Sequence, residues 1–364
     1  MLMLPTRDNC ACTKCRNQDT NQRSFDTFDI DPDIRPAHAE AVGESLKITW
    51  SDQHESVYPV DTLRRYAFGH RDVTPKVNFW GSAPGPSAMS YLSIDTDPKW
   101  MAELTMLIKT NGFVFVHDTP YDSPEPTKQL LERIGPIRNT HYGGFYDFIP
   151  DLASADTAYT NLALAPHTDT TYFTDPAGLQ AFHLLSHVPA SKTDGDEVGT
   201  DPEAASGGES ILIDGFNASK ILKMTIPWSF AILRATKVHW HASGNEGIAI
   251  APERACSVLR ARNGNVFQVR WNNDDRGIVP LGDAWYNAAR KWDEILKREN
   301  MQFKFQLKPG TVLIFDNWRV LHGRTAFTGT RRICGGYISM DDFNSRWRTT
   351  NFFSKEEVLA QVMG

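Results

Sequence analysis

Two histidines and one aspartate carry the first chemistry legible in this chain. His167 and Asp169 stand two apart in Ala165-Pro-His-Thr-Asp-Thr-Thr-Tyr-Phe173. In an extended segment that spacing puts both side chains on one face. His322 follows far downstream, in Asp316-Asn-Trp-Arg-Val-Leu-His-Gly-Arg324. Two imidazoles and a carboxylate on neighbouring strands form the facial triad that holds non-haem Fe(II) and leaves coordination positions open. An HxD pair alone is weak, since a satisfied core or surface histidine explains most such pairs. The order here is more specific. His322 follows an apolar run, and Arg331, beside Arg332, lies beyond it at the start of another strand-like run. Open positions on iron accept the two oxygens of an α-keto acid. The far carboxylate of that acid needs a bidentate cation, which arginine provides better than lysine. The order HxD, His, Arg therefore predicts an Fe(II)/2-oxoglutarate oxygenase.

A second cluster opens the chain: Cys10-Ala-Cys12-Thr-Lys-Cys15. Zinc needs soft, deprotonated ligands converging on one point, and a structural site usually closes with four. The turn supplies three thiolates. The fourth ligand is open among His54, His70 and His38. Such a site would staple a small amino-terminal domain of short strands that cannot hold itself together otherwise. With Cys256 and Cys334 far away, the five cysteines do not resemble a disulfide framework.

The elements that must position these groups come next. Runs over 113–116, 178–186, 208–215, 266–273, 310–315 and 333–338 read as strands from composition. Residues 100–109 show helical spacing, ended by Asn111-Gly112. A second helix over 127–134 is expected to be capped by Gly135. The longest helix is placed at 281–300, with Trp285, Ala289, Trp292 and Leu296 on one face. Residues 222–236 are mixed. His239 and His241 read as the polar face of a strand rather than a second metal site. The acidic, small-residue stretch 192–208 reads as a surface loop. A linker at 84–87 divides the chain into domains 1–83 and 84–364. The expected fold is mainly β with flanking helices (α+β): a double-stranded β-helix, or jelly roll, with iron ligands at strand ends near its mouth.

Length, a hydrophobic fraction of 41% and a net charge of −6 describe a globular protein without the basic face of a nucleic-acid binder. No apolar run is long enough to span a membrane, and no signal peptide or Arg-rich presequence is recognisable, so the cytoplasm is the expected compartment.

Four segments resemble one family. They are 166–173, Leu212-Ile-Asp-Gly-Phe216, 315–324 and Cys334-Gly-Gly-Tyr337. All four are similar to the trimethyllysine dioxygenases and their sisters, the γ-butyrobetaine dioxygenases, within the taurine-dioxygenase-like oxygenases. The likeness runs nearly end to end. Residues 7–15 match the amino-terminal zinc motif of both groups, and 21–27 match the trimethyllysine enzymes in particular. The match at Trp50-Ser-Asp-Gln-His54 favours His54 as fourth zinc ligand.

The resemblance implies the following reaction. O2 and 2-oxoglutarate are consumed, giving succinate and CO2, while carbon 3 of Nε,Nε,Nε-trimethyllysine is hydroxylated, the first step of carnitine biosynthesis. Ascorbate is the implied reductant. His167, Asp169 and His322 would carry iron. Arg331 aligns with the cosubstrate arginine, with Arg332 one position away. Tyr142, Tyr159 and Tyr337 fall where the family builds a trimethylammonium cage, consistent with the attraction of aromatic faces for cations. Tyr146 stands where tryptophan is usual. Asp156 would pair with the α-ammonium of trimethyllysine, where the sister enzymes commonly have asparagine, and Asn272 or Asn273 would help hold the amino-acid end. A homodimer is in keeping with the family. The chain starts close to the zinc motif, so an absent edge strand or a truncated start is expected, with the mitochondrial matrix as the alternative compartment. The competing readings are a γ-butyrobetaine dioxygenase and a non-catalytic jelly-roll binding protein.

Overall fold

The computed structural model describes residues 3–68, 75–149, 160–189, 205–279 and 282–362. The chain divides into two units, one of residues 1–74 with 355–364 and one of 75–354. The division falls at Thr74/Pro75 rather than at 83/84. Trp80 explains why: its ring lies in a core with Phe113 and Phe315, and its indole donates to the Asn111 carbonyl.

In the first unit, helix α1 (Met3–Asp8) precedes the antiparallel strands β1 (Pro36–Val42), β2 (Ser45–Trp50) and β3 (Glu55–Pro59), then α2 (Val60–Phe68). Its core is small: Ile30, Ile34, Ile48, Trp50 and Tyr58. So few buried side chains leave the unit dependent on another source of stability.

The larger unit runs β4 (Ala88–Ser90), α3 (Trp100–Asn111), β5 (Phe113–His117), α4 (Glu125–Ile134), β6 (Tyr146–Phe148) and β7 (Leu164–His167). It continues with β8 (Leu179–Val188), β9 (Ser206–Gly207), β10 (Ser210–Asp214), α5 (Gly215–Thr225), α6 (Pro227–Ala235), β11 (Leu259–Arg262) and β12 (Asn265–Val269). It closes with α7 (Asp283–Leu296), β13 (Phe303–Phe305), β14 (Val312–Asp316), β15 (Val320–Arg324), β16 (Phe327–Thr328), β17 (Thr330–Ile338) and α8 (Met340–Asn351). A last helix, α9 (Lys355–Val362), is grouped with the first unit.

Two sheets frame the larger unit. One has six strands in the order β4-β5-β14-β8-β17-β6, the other four in the order β13-β10-β15-β7. Phe113, Leu184, Leu313 and Phe315 from the first and Leu212 and Val320 from the second share one core. The chain passes from β14 in one sheet to β15 in the other across only Asn317, Trp318 and Arg319. Arg319 anchors that crossing. It is 1% exposed and bonds Asp214 at 2.8 Å and 3.1 Å, plus the carbonyls of Asn78 and Thr110. Asp214 also caps α5 by accepting from the amides of Phe216 and Asn217. Removing either partner of so buried a pair would cost about 3–5 kcal/mol.

Several expectations change. Residues 222–236 belong to two helices, α5 and α6, broken at Ile226 because Pro227 starts a new one. The α7 helix spans Asp283–Leu296, shorter than 281–300, with Trp285, Ala289, Trp292 and Leu296 buried as expected. Gly112 ends α3 at φ +84 with its amide bonded to Ile108, and Gly135 caps α4 as expected with its amide bonded to Leu131, but in an extended rather than left-handed conformation. His239 and His241 lie on no strand; Val238, Trp240 and Ala242 make only isolated bridges. Most of 192–208 lies outside the described residues.

Candidate active site

His167 ends β7 and His322 sits in β15, and the two are direct antiparallel partners. Opposed residues of a strand pair share a face, so their rings stand 4.3 Å apart, centroid to centroid. His167 Nδ1 lies 2.8 Å from the Ala165 carbonyl. That contact requires a proton on Nδ1 and leaves the Nε2 lone pair free, which is the arrangement of a metal-binding imidazole. His167 Nε2 and His322 Nε2 lie 3.1 Å and 3.7 Å from Asp169 Oδ1. The three ligand atoms lie within 4.8 Å of one another. Adjacent donors at right angles, each about 2.1 Å from a metal, would sit roughly 3 Å apart. Lone pairs aimed at a carboxylate oxygen repel unless a proton or a metal cation lies between, and two imidazoles with one carboxylate are the donor set that suits Fe(II).

The electrostatics set the two imidazoles apart around one carboxylate: His322 is held neutral, whereas His167 is biased towards its charged form. Burial drives His322 down to about 3, helped by its neighbour His167. Burial also acts to lower His167, but the hydrogen bond and charge of Asp169 outweigh it. Burial alone would raise Asp169; its contacts with His167, His322 and Tyr337 hold it below the usual carboxylate range.

Asp169 is supported on every side. Its Oδ2 accepts from Gln180 Nε2 at 2.5 Å and from the Tyr337 hydroxyl at 2.6 Å. Its backbone amide donates to Asn317 Oδ1 at 2.8 Å, and its carbonyl accepts from Asn317 Nδ2 at 3.0 Å. Sequence reasoning missed Gln180 and Asn317. Only the position of Asn317, the first residue of the short crossing to β15, offered a signal.

Arg331 and Arg332 occupy opposite faces of β17. Arg332 faces solvent and forms a two-pronged pair with Asp147 at 2.6 Å and 2.9 Å. Arg331 is 1% exposed and lines the cavity, and its Nε and Nη1 have no partner among the described residues. Burial, reinforced by Arg324, pushes it down to about 10. Its guanidinium and that of Arg324 each lie against the Phe327 ring, at 5.0 Å and 4.7 Å. Arg324 also lines the cavity, a second cation not singled out from the sequence.

The cavity measures about 570 Å³. His167, Asp169 and His322 border it, as do Tyr142, Tyr146, Tyr337, Asn272 and Asn273. The Tyr146 and Tyr337 rings meet edge to face at 5.8 Å. Tyr146 donates its hydroxyl to the Ala181 carbonyl at 2.7 Å. Gly335 makes room for this: a Cβ there would fall 1.9 Å from that carbonyl oxygen and 2.8 Å from the Tyr146 hydroxyl. Tyr337 thus offers its ring to the cavity and its hydroxyl to Asp169, a double use that an aromatic-cage reading does not anticipate. Asp156 and Tyr159 lie outside the described residues.

In the first unit, Cys10, Cys12 and Cys15 converge on His54, whose Nε2 lies 3.3, 3.6 and 3.5 Å from the three sulfurs. Tetrahedral zinc, with bonds of about 2.3 Å to sulfur and 2.0 Å to nitrogen, puts S and N roughly 3.5 Å apart. His54 follows the β2 turn, where Gln53 adopts φ +63 and Asp52 accepts from the His54 amide. Arg7 bonds Asp52 at 3.1 Å and reaches Cys15 Sγ at 3.5 Å. Burial pushes Cys15 up to about 11, a shift a bound cation reverses. Of the alternative ligands, His38 is exposed on β1 beside Glu40, and His70 lies outside the described residues. Among the described residues, only this cluster and the His-Asp-His triad bring three or more potential ligands together.

Residues 71–337 match the profile of the taurine catabolism dioxygenase TauD, TfdA family, and residues 4–64 match the gamma-butyrobetaine hydroxylase-like, N-terminal profile. Trimethyllysine dioxygenase of Neurospora crassa is 53% identical over 388 residues, covering 98% of this chain and 82% of that protein. The mitochondrial trimethyllysine dioxygenase of Homo sapiens is 34% identical, covering 92% and 79%. Gamma-butyrobetaine dioxygenase of Homo sapiens is more distant, at 27% identity with 94% and 89% covered. With an iron-competent triad beside a buried arginine and an aromatic cavity, this chain belongs to the TauD/TfdA dioxygenase family, among the trimethyllysine dioxygenases.

Proposed function

We propose that the protein hydroxylates Nε,Nε,Nε-trimethyllysine at carbon 3, consuming O2 and 2-oxoglutarate and releasing succinate and CO2, as the first step of carnitine biosynthesis. The observation that carries the reading is the convergence of His167 Nε2, Asp169 Oδ1 and His322 Nε2 at the wall of an aromatic cavity. Fe(II) held by these three atoms supplies O2 activation coupled to decarboxylation of the α-keto acid. Arg331 holds the far carboxylate of 2-oxoglutarate through its unpartnered guanidinium nitrogens, a choice over Arg332 that the pairing of Arg332 with Asp147 supports. The faces of Tyr142, Tyr146 and Tyr337, with Tyr159, receive the trimethylammonium group. Asn272 or Asn273 orients the amino-acid end, and Asp156 pairs with the α-ammonium.

We extend the proposal to the frame. The six- and four-stranded sheets form a double-stranded β-helix, and the Cys10, Cys12, Cys15 and His54 cluster binds structural zinc. Ascorbate as reductant and a homodimer rest on family resemblance alone. So does the compartment: mammalian relatives are named mitochondrial, and the cytoplasm was the expectation from sequence.

The chemistry is tested by succinate formation with Fe(II), 2-oxoglutarate and, separately, trimethyllysine, γ-butyrobetaine and lysine. Turnover should favour trimethyllysine, and no turnover with any trimethylammonium compound would refute the assignment. The substrate contact is tested by Asp156→Asn. Losing a charge-assisted contact should weaken selectivity for trimethyllysine over γ-butyrobetaine by about tenfold or more, and unchanged selectivity would remove Asp156 from the reading.

A further inference from the structure

The two oxygens of Asp169 have different surroundings. Oδ1 faces the imidazoles of His167 and His322. Oδ2 faces two donors, Gln180 Nε2 and the Tyr337 hydroxyl. Those donors are direct cross-strand partners on β8 and β17 of the six-stranded sheet, whereas the two histidines belong to the four-stranded sheet. Gln180 is 2% exposed, and its Oε1 has no partner among the described residues. The only hydrogen bond orienting its amide among the described residues is the one to Asp169.

The backbone is fixed as firmly. Asn317, 1% exposed, pairs with both the amide and the carbonyl of Asp169 as a neighbouring strand would. The next residue, Thr170, sits at φ +55, a left-handed conformation rarely adopted by a β-branched residue. With main chain and Oδ2 both held, Oδ1 alone is presented to the metal position.

We propose that Gln180 and Tyr337 are positioning residues that keep Asp169 a one-oxygen ligand and so reserve coordination positions for the α-keto acid. The proposal rests on the iron site described above. Three protein donors on a six-coordinate ion leave three positions. A second Asp169 oxygen would occupy one of them and leave two: none for O2 once the α-keto acid chelates, and fewer ways for the acid to chelate while Arg331 holds its far carboxylate. Charge-assisted hydrogen bonds to Oδ2 oppose that rotation.

The experiment uses the whole chain loaded anaerobically with Fe(II), as wild type, Tyr337→Phe, and Tyr337→Phe combined with Gln180→Leu. Two quantities are measured: the dissociation constant for Fe(II), and the half-saturation for 2-oxoglutarate read from the visible charge-transfer absorption of its iron chelate. We expect iron affinity within about threefold of wild type, while the 2-oxoglutarate half-saturation rises by about tenfold or more in the double variant and by less in Tyr337→Phe. Tyr337→Phe deletes only a hydroxyl and keeps the ring, so it reads the effect even if the double variant does not fold. An unchanged half-saturation in Tyr337→Phe, or iron affinity falling in proportion to 2-oxoglutarate binding, would overturn the proposal. A wild-type protein that binds iron but develops no absorption with 2-oxoglutarate would overturn the iron-site reading and the proposal with it.

Discussion

Arg331 and Arg332 are adjacent in sequence and opposite in circumstance, and side-chain alternation along β17 separates them. Residues 331, 333, 335 and 337 share a face, and Tyr337 on that face reaches Asp169. From sequence, the family resemblance counted back from Tyr337 pointed to Arg331 and left Arg332 open by one position. Arg331→Gln should raise the half-saturation for 2-oxoglutarate by about tenfold to a hundredfold, the worth of a charge-assisted bidentate contact. Arg332→Gln should leave it within about twofold, since exposed ion pairs contribute little. A titration of both variants separates them, and equal effects would contradict the assignment. His167, Asp169 and His322 were legible because metal ligation demands particular atoms in a particular order. Gln180 and Asn317 were not, because an amide that supports a ligand has no spacing rule of its own. Their roles exist only once β8 and the β14–β15 crossing are brought beside Asp169.

The elements show the same division. Strands with apolar runs and helices with clear stops were readable, as at Gly112. The α5 and α6 pair was not, because Pro227 divides one mixed segment into two short helices. His183 on β8 was also passed over as strand filler, yet it ties three elements together. Its Nδ1 lies 2.7 Å from Thr127 Oγ1 in α4, and its Nε2 accepts from the Gly310 amide ahead of β14 at 3.1 Å. Burial drives this imidazole down to about 4, from 6.5. Above pH 6.5 it is neutral both folded and unfolded. As pH falls from 6.5 towards 4, the unfolded chain takes up a proton that the folded site refuses, so stability declines through that window. The total loss is about 3 kcal/mol, from about 1.4 kcal/mol per unit of pKa difference. Denaturant unfolding at several pH values should show this slope in wild type and lose it in His183→Leu. That variant should also be less stable at pH 7, because the Gly310 amide is left unpaired. Parallel pH profiles in the two proteins would contradict the account.

At the scale of the whole molecule, Pro84, Gly85 and Pro86 suggested a boundary at 84–87, whereas the structure divides into its two units at 74/75. The pairing of distant strands into two sheets was not legible, because strand order depends on contacts far apart in the chain. Among the described residues the first unit has a core cluster of five buried hydrophobic side chains, so zinc should carry much of its stability. Purified protein should hold one equivalent of zinc in addition to iron, and Cys12→Ser should lose the zinc. Proteolysis should then cut within 3–68, and a zinc-free Cys12→Ser protein as resistant as wild type would show that the metal is not structural. The central claim concerns the reaction itself. The most direct measurement is the product formed from trimethyllysine with Fe(II), 2-oxoglutarate and O2, identified by mass and NMR alongside succinate. The account predicts 3-hydroxytrimethyllysine in step with succinate. Hydroxylation at another carbon, or turnover of γ-butyrobetaine in preference to trimethyllysine, would contradict it.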